Sequence, residues 1–216
     1  PATYDLRTTS KLTPVRNQGS CGSCWSFAAV GSLESLLMSG ESWDFSENNM
    51  KNRHGFDLGC CSGGNRTIAT AYLARWSGPI VESDDPYNGG SCSSASPLTP
   101  KKIVHQVIYL PNRTGSLDNN AIKSAVMNYG AVYTTYYHSN SYYRSSTASY
   151  YFTGSSAGNH AVCIVGWDDN YDRNRFLTPA PGNGAFIVRN SWGAYWGQSG
   201  YFYMSYYDTT LGRSEN

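Results

Sequence analysis

The stretch Asn17–Ala29, "NQGSCGSCWSFAA", decides how the chain is read. Cys21 and Cys24 stand three apart where a Gly-rich loop gives way to an apolar helical pattern. Such a pair can be a redox couple, half of a zinc site, one end of a disulfide, or a nucleophile beside a structural cysteine. A thioredoxin-type pair sits in a strand–helix context in a chain of about 100 residues. Here the preceding residues are loop, punctuated by Pro14 and Gly19. A zinc site needs a second, suitably spaced pair. The next cysteines, Cys60 and Cys61, are adjacent and poorly disposed for that. The nucleophile reading asks for more and finds it. A thiolate is favoured at the first turn of a helix, where free N–H groups and the macrodipole attract an anion. It also needs a histidine, a group to orient that histidine, and a donor for the oxyanion.

The bulk numbers set the frame. At 216 residues the chain can bury a core in one large domain or two small lobes. Charged residues are 14% and the formal net charge is +1, so nothing suggests a nucleic-acid or acidic-membrane partner, which would need a basic stripe. No apolar run approaches the ~18 residues of a membrane span. Six cysteines suit two bridges plus two thiols.

Periodicity divides the chain. Trp25, Ala28, Ala29, Leu33, Leu36 and Leu37 recur at spacings of three and four, with Gly40 as a stop. Ser46 is placed to cap a short helix to about Asn52, and "GGNRTIATAYLARW" predicts another helix. Residues 83–100 read as a Pro/Gly/Ser-rich loop. Beyond residue 103 the alternation of "KIVHQVIYL" predicts a strand, and "LDNNAIKSAVMNYG" a helix closed by Gly130. "AVYTTYY", "HAVCIVGW", "GAFIVRNSW" and "GYFYMSYY" have the Val, Ile, Tyr and Phe content of strands. The Tyr/Ser-rich segment 136–156 reads as a solvated loop with some buried aromatics. A helical half beside a β half implies a cleft between them, where substrate sites commonly lie.

The motifs closely resemble those of papain-like cysteine peptidases. "QGSCGSCWSFA" resembles their nucleophile segment, "NHAVCIVGW" their histidine strand, "NSWGAYWGQSGYF" their asparagine–tryptophan motif, and "CSGG" their C-x-G-G turn. "LTPVRNQGS" before the nucleophile fits too. His160 follows Cys24 by 136 positions, inside the family's spacing of about 130–150. The resemblance runs from about Ala2 to Tyr207. It implies an α+β, papain-like two-lobe fold, with a helical left lobe, a β-barrel-like right lobe and the active site in the cleft. One peptidase domain, 1–216, is expected, with about 11–104 mainly helical and about 1–10 and 105–216 mainly β.

The roles carry over position by position. Cys24 matches the nucleophile, His160 the general base and acid, and Asn190 the residue that orients the imidazole. Trp192 matches the indole covering that hydrogen bond. Gln18 matches the side-chain oxyanion donor, with the Cys24 N–H beside it. Gly22, Gly63 and Gly64 match glycines lining the cleft. The resemblance also implies a Cys21–Cys61 bridge. Cys60–Cys92 is the second candidate bridge, with a swapped pairing of Cys60 and Cys61 left open. Cys163 reads as a buried free thiol. His54, His105 and His138 lie in no motif and read as surface or packing residues.

Some positions depart from the pattern. Asn65 and Arg66 stand where relatives carry an aromatic–proline pair at the substrate pocket, and Arg66 suggests a taste for acidic or polar side chains. Thr135 is a further wall candidate. Asn159 precedes the histidine where many relatives have Asp. The longer connection between His160 and Asn190 resembles the bacterial and archaeal exported branch. It carries Asp168, Asp169 and Asp172, which read as an exposed turn rather than a cation site. The expectation is an exported or cell-surface monomeric endopeptidase, made as a zymogen with its own propeptide. It would act on protein or peptide substrates with no cofactor, metal or nucleic acid. The alternatives are a transpeptidase or processing enzyme on the same site, and a surface-binding homologue without turnover. A thiol oxidoreductase is a more distant third.

Overall fold

The first long helix, α1 (Cys24–Leu37), runs through the middle of the molecule and is buried on several sides. Trp25, Phe27, Ala28 and Val30 are all enclosed, and so are Ser26, Gly31 and Glu34. One side of α1 meets α2 (Glu47–Arg53) and α3 (Arg66–Ala74). The other meets the strands β2 (Val132–Tyr136) and β5 (His160–Asp168). The structure is a computed structural model describing residues 1–214.

Local signals explain the helix boundaries. The Ser46 hydroxyl accepts from the Asn49 N–H and starts α2 as expected. The Asn65 side chain does the same for Ile68 at the start of α3. The fourth helix, α4 (Asn120–Tyr129), ends at Gly130, whose φ of 102° no β-branched residue would adopt comfortably. There the chain passes so close to α1 that a Cβ would lie 2.5 Å from the Ser35 hydroxyl oxygen. Ser35 and Ser32 bond the Ala131 N–H and C=O, fixing the entry to β2 against α1.

β5 is the spine of the sheet, buried along nearly all its length. It pairs antiparallel with β2 at His160–Ile164 and with β1 (Thr3–Asp5) at Gly166–Asp168. On its other side lies β6 (Ala185–Arg189), then β7 (Tyr201–Ser205), then the short β4 (Ser149–Tyr150) and β3 (Tyr143–Arg144). Among the described strands only the β4–β7 pairing is parallel. The result is the two-lobe α+β arrangement expected. Its β half, however, is a mixed sheet that does not close into a barrel among the described residues.

Two readings of local structure need correction. The alternating stretch 103–110 forms no strand. Val104 and Leu110 pack on the core while Ile103, Val107, Ile108 and Tyr109 stay exposed. Alternation specifies an inward face, but a ladder also needs a partner edge, which periodicity does not report. The segment 136–156 is less of a loop than expected. It holds β3, β4 and two 3₁₀ turns, and it buries Tyr136, Tyr150, Tyr151 and Phe152. Tyrosine supplies bulk and a polar tip here: the Tyr136 hydroxyl lies 3.0 Å from His138 Nδ1, and Tyr150 donates to the Tyr137 carbonyl.

Candidate active site

Cys24 is the first residue of α1, half-buried and not bonded to another cysteine. The Ala161 N–H points at its sulfur, 3.4 Å away, so the thiol lies against the first residues of β5. Burial holds the thiol above the ordinary cysteine value, against the N–H groups of Ala161, Trp25 and Cys24, which favour the thiolate.

His160 opens β5 opposite Tyr136. Its Nε2 lies 2.8 Å from Asn190 Oδ1. The Ser191 N–H donates to the same oxygen at 2.9 Å, which fixes that atom as the acceptor. Nε2 must therefore carry a hydrogen, and Nδ1 is the nitrogen left for the thiol. Trp192 stacks on the imidazole with ring centres 4.5 Å apart and planes 19° from parallel. Burial pulls His160 from 6.5 to about 4, opposed by the Asn190 bond and reinforced by nearby His138. Burial thus disfavours each charge alone. A proton passed from Cys24 to His160 would leave the two groups neutral overall and create two opposite charges.

Gln18 is buried and fully anchored. Its backbone N–H donates to the Ser191 carbonyl at 2.8 Å, and its Oε1 accepts from Ser191 Oγ at 2.6 Å. Nε2 donates one hydrogen to the Cys21 carbonyl at 2.8 Å, leaving the second for another acceptor. Ser191 thereby touches both Gln18 and Asn190.

The remaining candidates fall into distinct environments. Gly22 runs alongside Ser62 in a parallel bridge, and Gly64 lies so close to Trp25 that a Cβ would sit 2.4 Å from the indole. Gly63 has open space above it and a φ of 93°. Thr135 is paired with Ala161, beside the thiol. Asn65 is occupied with capping α3, so its oxygen serves the helix. Arg66 lies over the Tyr109 ring at 4.8 Å and lines an apolar cavity of about 210 Å³ between α1, α3, α4 and residues 104–110. Asn159 grips the His138 backbone at both N–H and C=O, stapling the end of β2 to the start of β5. Cys21 is bonded to Cys61 and Cys60 to Cys92, while Cys163 is free and buried.

The three aspartates do not converge. Asp168 accepts from Thr3 and Asn170, Asp169 from Lys123 and Tyr206, and Asp172 from Asn174. No group of three potential metal ligands gathers among the described residues. Nor is any helix long and apolar enough to cross a membrane there.

Two residues stand beside the site that the sequence did not mark for it, His138 being read only as a surface or packing residue. His138 packs edge-on to Trp192 at 4.8 Å, with its ring 6.1 Å from that of His160. Tyr87 bonds the Gln18 carbonyl. Neither lies in a motif, and both arrive through loop or strand-end geometry that spacing does not encode.

Comparison with known proteins agrees with this geometry. The papain family cysteine protease profile matches residues 1–214. A cysteine protease of Blomia tropicalis is 31% identical, over 98% of this chain and 63% of that protein. Mouse cathepsin J is 30% identical, over 95% of this chain and 60% of that protein. Among solved structures, the clostridial cysteine protease Cwp84 after propeptide cleavage superposes with a TM-score of 0.81 at 32% identity. It covers 99% of this chain and 56% of that one. Procathepsin L2 of Tenebrio molitor gives 0.74 at 29% identity, over 95% of this chain and 62% of that one. The chain belongs to the papain family of cysteine proteases. It spans about 60% of the length of these curated relatives.

Proposed function

We propose that the chain is the peptidase domain of an exported cysteine endopeptidase that hydrolyses protein or peptide substrates through an acyl-enzyme. The observation that carries this reading is the buried His160–Asn190 bond under Trp192, next to a helix-start thiol. Cys24 Sγ attacks the scissile carbonyl carbon as the thiolate, while His160 holds the proton. The carbonyl electrons move to oxygen, where the Gln18 amide and the Cys24 N–H receive the charge. His160 gives its proton to the leaving nitrogen, the C–N bond breaks, and the amine departs. Water then attacks the thioester as His160 takes its proton, and loss of the sulfur returns the thiolate.

Two disulfides support an oxidising compartment, as does similarity to Cwp84, described as a surface layer associated protein of Clostridium difficile. A propeptide in the precursor is supported by the procathepsin and propeptide-cleaved relatives. We infer a single domain with a helical lobe at about 11–104 and a β lobe at about 1–10 and 105–216, of which 215–216 lie outside the described residues.

The test is active-site labelling with an irreversible epoxide, followed by peptide mapping. One adduct per chain on Cys24, formed at least a hundredfold more slowly in His160→Ala, is expected. No adduct on folded, reduced protein would leave a binding protein as the better reading.

A further inference from the structure

The loop 83–100 carries none of the catalytic motifs, yet one of its side chains reaches the nucleophile loop. The Tyr87 hydroxyl donates to the Gln18 carbonyl at 2.7 Å. The same oxygen lies 2.8 Å from Ser23 Oγ. A carbonyl can only accept, so the phenolic hydrogen goes to Gln18 and the Ser23 hydroxyl donates to Tyr87. One oxygen thus joins the residue before Cys24 to the residue bearing the side-chain oxyanion donor.

The Ser23 end of this bond is unusual. Ser23 occupies the N-cap position of α1, where a serine oxygen ordinarily accepts from an N–H of the first turn. Here it makes no capping bond. Its hydroxyl is turned to Tyr87, and the first-turn N–H groups of α1 are not taken up by it. One of them is the Cys24 N–H, the backbone donor assigned to the oxyanion.

Tyr87 is itself braced. Its ring meets Phe27 of α1 edge-on at 4.8 Å, and the Lys51 ammonium lies 5.6 Å from its centre. Its N–H donates to Glu82 Oε1 at 2.7 Å. Lys51 reaches on to the Ser91 carbonyl of the same loop. Between Gln18 and Cys24 the chain includes Gly19, at φ 62°, and Gly22, so its path is set by such ties.

Resting on the assignment of Gln18 and the Cys24 N–H as oxyanion donors, we propose that Tyr87 is a positioning residue for the oxyanion hole. It acts through Gln18 and Ser23 and touches no reacting atom.

Tyr87→Phe keeps the ring packing and removes only the hydroxyl. Peptide hydrolysis should lose roughly tenfold in kcat with KM nearly unchanged, since the missing order matters where oxyanion charge develops. Alkylation of Cys24 by iodoacetamide forms no oxyanion, and its rate should stay within about twofold of wild type. In a Gln18→Ala background, Tyr87→Phe should cost clearly less than tenfold, because the side-chain donor it positions is gone and only the Cys24 N–H remains. Unchanged kcat in Tyr87→Phe overturns the proposal. So does an equal fall in hydrolysis and alkylation, which would mark a general loss of site structure, and so does a full tenfold loss in the Gln18→Ala background. If wild-type Cys24 alkylates no faster than a free thiol, the peptidase reading itself fails, and that outcome is seen before any variant is made.

Discussion

Asn190 does two things with one oxygen. By accepting from the Ser191 N–H it fixes which end of its amide faces His160, and by accepting from Nε2 it fixes the imidazole tautomer. Burial then decides the charge. In Cys24→Ser, which removes the acidic thiol, His160 should titrate near 4 rather than 6.5 when followed by NMR of the imidazole protons. The unfolded chain binds that proton below about 6.5 and the folded one only below about 4. Stability in this variant therefore falls as pH drops through that window. A titration at 6.5 or above would mean that burial does not govern this ring. Cys24, His160, Asn190 and Gln18 each sit in a long local pattern in the right order, and the fold draws Cys24 against the start of β5, His160 onto Asn190 and Gln18 onto Ser191. His138 was not legible. It comes beside His160 only because β2 and β5 pair in a register that brings Tyr136 opposite His160, and Asn159 ties the strand ends together.

At the level of elements, helices were easier to read than strands. α1 to α4 announce themselves through caps, stops and a periodicity that is local to each helix. The stretch 103–110 shows the limit, because strand formation depends on a partner elsewhere in the chain. Asn65 shows another. The sequence marks it as the residue after the C-x-G-G turn, and substrate contact was the natural expectation, but its oxygen is used to start α3. Asn65→Ala should therefore lower stability by about 1 kcal/mol in a urea titration. Cleavage preferences in a peptide panel should stay the same. A changed preference at unchanged stability would return Asn65 to the substrate pocket.

For the whole molecule, the weak point is the loop 83–100, which has no regular structure yet carries Tyr87. Asp85 holds it to α2 through Asn48 and Asn49, and also bonds Ser94 within the loop. Cys60–Cys92 closes the same region across a separation of 32 residues. By chain entropy alone, a loop of that size contributes about 3–4 kcal/mol. The double substitution Cys60→Ser, Cys92→Ser should lower the guanidinium midpoint accordingly. A loss below about 1 kcal/mol would mean that the Asp85 network holds the loop by itself. The composition of this loop gave no hint of these ties, since side chains that cross from one segment to another leave no period in a sequence.

Ser191 joins what the chemistry keeps apart. Its N–H holds Asn190, while its carbonyl and hydroxyl hold Gln18. Any displacement of this residue acts on Gln18 and Asn190 together. Because one residue holds both, an error in its placement shifts the pair together and is smaller in their relative position. For the proposed reaction, the spacing between the two is what a tetrahedral intermediate would meet, and one residue sets it.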